Sequence, residues 1–135
     1  MRKFSVIPLA FAAIVTACGQ TSVCTNPEVL KTLQKIFEER EFGQFVKLPA
    51  GVTTVKKGTA TFSSNDSRTN VTRCSAVITV DLLQVLKNFQ GFSEEDIAKT
   101  KEQAFANGQK TDVDNLIQYT VQTVRSGEHF VTIVQ

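Results

Sequence analysis

Residues 71–80, Val-Thr-Arg-Cys-Ser-Ala-Val-Ile-Thr-Val, alternate with a period of two. Cys74, Ala76, Ile78 and Val80 share one face, and Arg73, Ser75, Val77 and Thr79 share the other. A helix would scatter these residues around its circumference, whereas a strand sorts them into an apolar side and a mostly polar side. The segment therefore reads as a half-buried strand of an antiparallel sheet, and its apolar face needs a cover.

The cover is legible upstream. Asn26 suits an N-cap, Pro27 the first helical position, and Glu28 the positive end of the helix dipole. Val29, Leu33, Ile36 and Phe37, with Leu30 beside them, form an apolar stripe at helical spacing. Lys31, Lys35, Glu38 and Glu39 fall on the water side, and Gly43 is a stop. Residues 44–70 carry weaker signals. Phe45-Val46, residues 52–55 and residues 59–62 read as short strands, and the polar run 63–70 as a loop tip.

Leu82, Val85, Leu86 and Phe89 fall at helical spacing after a capping Asp81, although the same residues could prolong the strand. Another helix starts at Ser93. Ser93 with Asp96 resembles a capping box, Phe92 with Ile97 a hydrophobic staple, and Asn107-Gly108 marks the end. Its apolar face is thin, made chiefly of Ile97, Ala104 and Phe105, so it is expected to be loosely attached. Residues 116–124 and 129–134 are rich in β-branched residues around a Ser126-Gly127 turn, a β-hairpin in which Ile117, Tyr119 and Val121 alternate with Gln118, Thr120 and Gln122. The sum is an α+β fold: an N-terminal helix packed on an antiparallel sheet, with a small helical insertion before a C-terminal β-hairpin. This order of elements, over roughly residues 25–135, resembles the cystatin-like and NTF2-like folds. Residues 24–33, Arg73-Cys74-Ser75-Ala76 and Tyr119-Thr120-Val121 are also similar to small exported lipoproteins without assigned function.

The first residues carry an address. Arg2 and Lys3 form a positive n-region, residues 4–15 a mostly apolar stretch, and Val15-Thr16-Ala17-Cys18 closes it. The apolar run is too short for the roughly 20 residues of a transmembrane helix. The tetrad resembles the lipobox of bacterial lipoproteins, in which signal peptidase cuts before a cysteine that carries acyl chains. The resemblance implies removal of residues 1–17, acylation of Cys18, and residence in the cell envelope, with Gly19 pointing to the outer membrane facing the periplasm. An ordinary secretory signal, leaving Cys18 as a thiol, is the alternative. Removing Arg2 and Lys3 takes the 15 basic residues to 13, equal to the 13 acidic ones, so the basic balance belongs to the discarded part. No basic tract of the kind that binds nucleic acid is left.

With Cys18 acylated, Cys24 and Cys74 form an even pair in an oxidising compartment and are expected to make a disulfide, with two buried thiols as the alternative. Residues 18–23 are then a lipidated tether and residues 24–135 a single domain. The five residues between Cys18 and Cys24 reach at most about 18 Å, so the domain is expected to sit against the membrane.

Nothing in the chain assembles a reaction centre. His129 is the lone histidine, there is no Cys-x-x-Cys pair, and phosphate-binding and calcium loops are absent. The expectation is a protein without enzymatic activity, cofactor or metal. Phe89 and Phe92, flanking Gln90-Gly91, are candidates for an exposed apolar patch, with burial in the core as the alternative. The leading expectation is a lipid-anchored envelope protein that docks another protein at the membrane surface, as a secretion or conjugation component, an inhibitor or an immunity protein. The alternative is a periplasmic carrier holding a small ligand in an apolar pocket between helix and sheet.

Overall fold

The computed structural model describes residues 23–44 and 46–134. The signal segment, Cys18 and most of the tether lie outside these residues, as does Phe45. Helix α1 spans Pro27–Phe42, strand β1 Thr53–Asp66, strand β2 Val71–Asp81, helix α2 Leu82–Gln90, helix α3 Glu94–Ala106, strand β3 Asp112–Thr123 and strand β4 His129–Ile133. The strands form one antiparallel sheet in the order β1-β2-β3-β4. The fold is α+β, with the helix ahead of the sheet and two helices inserted before the last two strands.

Strand β2 alternates as its sequence requires. Thr72, Cys74, Ala76, Ile78 and Val80 are buried, and Cys74, Ala76 and Ile78 are at most 2% exposed. Helix α1 covers this face with Val29, Leu30, Leu33 and Phe37, while Ile36 is only half-buried. Tyr119 and Val121 of β3 complete the cluster, with Ile117, Val131 and Ile133 packed against it. At about 25 cal/mol per Å2 of apolar surface, such contacts are the main favourable contribution to folding. Asn26 Oδ1 accepts the Glu28 N–H at 2.9 Å, the cap expected at the start of α1.

The weak stretch after α1 resolves into a single 14-residue strand, where short separate strands were expected. Its irregularity is the reason. Lys56 pairs with Val77 and Thr61 with Ser75, so residues 57–60 stand opposite Ala76 alone. Within this bulge the Thr59 hydroxyl accepts the Val77 N–H at 2.8 Å, replacing a backbone partner. The polar run 63–70 is likewise mostly strand, and the turn is confined to residues 67–70. Asn70 there has a φ of 55°, a left-handed conformation that asparagine tolerates, and its Nδ2 donates to the Thr123 carbonyl at 2.8 Å.

Residues 82–90 are helical, not a continuation of β2. The Asp81 carboxylate accepts the Leu83 and Gln84 N–H groups, which turns the chain out of the sheet. Gly91 closes α2 with a φ of 70°, a conformation open to glycine at little cost. Ser93 and Asp96 make the reciprocal capping box at the start of α3, and α3 buries none of its residues.

Candidate functional site

The two ends of the sheet differ in chemistry. At one end, Cys24 and Cys74 form a disulfide with a Cα–Cα distance of 5.7 Å. Both cysteines are at most 2% exposed. The Tyr119 hydroxyl donates to the Cys24 carbonyl at 2.9 Å. Residue 24 is thus held by a covalent bond to β2 and a hydrogen bond to β3, the two central strands. Burial pushes the Tyr119 hydroxyl pKa up to about 12, because the phenolate would lose its water there. The β1–β2 and β3–β4 turns lie at this same end, since Thr72 pairs with Val121 and Thr123 with His129.

The helical arm formed by α2 and α3 leaves the sheet at the opposite end. Seven residues of β2 separate Cys74 from Asp81, about 23 Å at 3.3 Å per residue. Phe89, one of the two candidate interface residues, is partly exposed but stacks on Phe42 of α1 with ring centroids 5.6 Å apart. This contact ties α2 to the end of the covering helix. Phe92, the other candidate, is half-buried, and its N–H donates to the Leu86 carbonyl at 3.4 Å. The aromatic ring most open to solvent is a different one. Phe105, which the sequence places on the inner face of α3, is 87% exposed. It lines a solvent-open groove of about 600 Å3 together with Ala98, Lys101, Glu102 and residues 109–112. Its spacing from Ala98 and Lys101 shows that α3 turns this face outward, while Ile97, Thr100 and Ala104 are the half-buried positions. The periodicity of α3 is too thin to distinguish the two faces, and this is why Phe105 was misplaced.

On the uncovered face of the sheet, Lys56 Nζ pairs with Asp114 at 3.0 Å, and the Thr79 hydroxyl donates to the same carboxylate at 2.7 Å. These contacts hold the Asp114 carboxyl below the usual carboxylate range, the Thr79 bond first and Lys56 second. Leu116 lies beside them at 61% exposure. His129 Nδ1 is 3.1 Å from the Thr123 hydroxyl. Among the described residues no group of three or more His, Cys, Asp or Glu is placed to hold a metal ion, and no helix is long and apolar enough to cross a membrane. In comparisons with known proteins, the chain matches no family profile, no curated protein and no solved structure.

Proposed function

We propose that this chain is a lipid-anchored docking protein of the bacterial cell envelope, attached through Cys18 and presenting its helical arm to another protein. The observation that carries the reading is Phe105, 87% exposed on a helix that buries none of its residues. A large aromatic side chain held in water on a capped helix gains nothing for folding, and such residues act as anchors in interfaces. Its position supports the reading. A chain acylated at Cys18 is held to the bilayer by a leash ending at Cys24, and the arm lies at the far end of the sheet from that residue. The arm then points away from the lipid, toward a protein in the periplasm.

The test is a photo-cross-linking residue at position 105 in the acylated chain in intact cells, with position 31 on α1 as control. A discrete adduct to one envelope protein from position 105, none from position 31, and a mature mass equal to an acylated chain starting at Cys18 are expected. An unmodified Cys18, or no adduct from position 105, sinks the proposal.

A further inference from the structure

Strand β3 is longer than one of its neighbours. β2 pairs with it from Asp112 to Gln122, but β4 pairs only from Tyr119 to Thr123. One further bond, from the Val134 N–H to the Gln118 carbonyl at 2.9 Å, extends that side. Residues 112–117 thus have β2 on one edge and, among the described residues, no strand on the other. In an antiparallel ladder the N–H and C=O of one residue point to the same side, and the side alternates along the strand. The Gln118 carbonyl points toward β4, so the peptide groups of Leu116 and Asp114, two and four residues back, point into the open edge. Among the described residues no loop or side chain bonds them.

The other long edge is guarded. β1 is bulged at residues 57–60, and its Thr53 carbonyl already accepts Gln34 Nε2 at 3.0 Å. The open stretch of β3 has no bulge and no such cap. Beside it lies a groove of about 410 Å3, lined on the helix side by Phe37, Arg40 and Glu41. At its Asp112 end it meets the groove under Phe105.

We infer that residues 112–117 of β3 receive an extended segment of the docked protein, which adds to the sheet as a strand in line with β4. The inference rests on the docking reading above and adds the mode of contact. A row of unpaired peptide groups is complementary to an extended backbone, and alternate side chains of the added strand face the groove and Leu116. A second copy of this chain fits poorly. Pairing slot to slot would bring Asp112 and Asp114 of both copies onto one face, and like charges across a ladder destabilise it.

Six residues, Thr-Val-Lys-Val-Thr-Val, appended after Gln135 would carry β4 into the slot, and amide hydrogen exchange reads the result. The expected outcome is at least about tenfold slower exchange at Leu116 and Asp114, from the added pairing. Leu116→Pro removes an N–H aimed at the slot and none aimed at β2, so it should keep the fold and abolish the slowing. The appended strand should also abolish the adduct formed from position 105. Unchanged exchange, amides already protected in the parent chain, or an adduct that persists with the slot filled overturns the inference while leaving the docking reading intact. Protection of the same amides that rises with protein concentration overturns it in favour of a second copy. A slot that fills in a chain giving no adduct from position 105 removes the docking reading, and with it the partner assigned to the slot.

Discussion

Tyr119 shows how one residue joins distant parts of the chain. Its alternation with Ile117 and Val121 places it on the core face of β3. A phenol in a core needs a hydrogen-bond partner. The partner, the Cys24 carbonyl, is 95 residues away in sequence. Tyr119→Phe should cost about 1–3 kcal/mol, the penalty for a buried carbonyl left without a donor, read as a lower midpoint in chemical denaturation. The raised pKa carries a second expectation. The unfolded chain ionises its tyrosine near 10 and the folded one near 12, so the tyrosine's contribution is complete below pH 10 and is lost as pH rises from 10 through 12. Denaturation at pH 9, 10 and 11 should show this decline in the parent chain and lack it in Tyr119→Phe. Equal slopes in the two proteins would assign the decline to other groups.

At the scale of elements, the capped helices are the most legible part of the chain, because a cap is a local bond. The Ser93 and Asp96 exchange survives from sequence to structure as a reciprocal pair of hydrogen bonds, both 3.1 Å long. These bonds, from the Ser93 backbone first and its hydroxyl second, hold the Asp96 carboxyl below its ordinary range. The contribution of Asp96 to α3 is therefore present above the ordinary carboxylate range and lost as pH falls below it. Ser93→Ala should weaken α3 by about 1 kcal/mol, visible as faster amide exchange within Glu94–Ala106. Because α3 buries none of its residues, global unfolding should shift far less. A matching drop in global stability would show that the arm is coupled to the core. Strand β1 was legible only in pieces. Its bulge depends on which β2 residue each position opposes, and pairing leaves no local mark in Lys56-Lys57-Gly58.

For the whole molecule, the Cys24–Cys74 bond closes a separation of 50 residues between the start of α1 and the central strand. In the chain-entropy model such a loop contributes about 4 kcal/mol, a large share of the stability of a domain this size. The double substitution Cys24→Ser and Cys74→Ser should lower the unfolding free energy by about that amount in urea. A loss below about 1 kcal/mol would mean that packing of α1 on the sheet suffices. The disulfide also sets where the leash enters, so with Cys18 acylated it decides which end of the sheet faces the lipid and which end offers Phe105.

The amino-acid sequence by itself determined the period-two face of β2, the stripe of α1, the caps of all three helices and the α+β order of elements, since each rests on residues a few positions apart. It also carries the lipobox expectation at Cys18, which belongs to the precursor chain and to residues outside those described. The exposure of Phe105 and the open edge of β3 were decided by the tertiary structure alone. The first depends on where α3 lands beyond the end of the sheet. The second depends on β4 ending opposite Tyr119 while β2 runs on to Asp112. Both are consequences of register and placement between distant segments, and local periodicity contains neither.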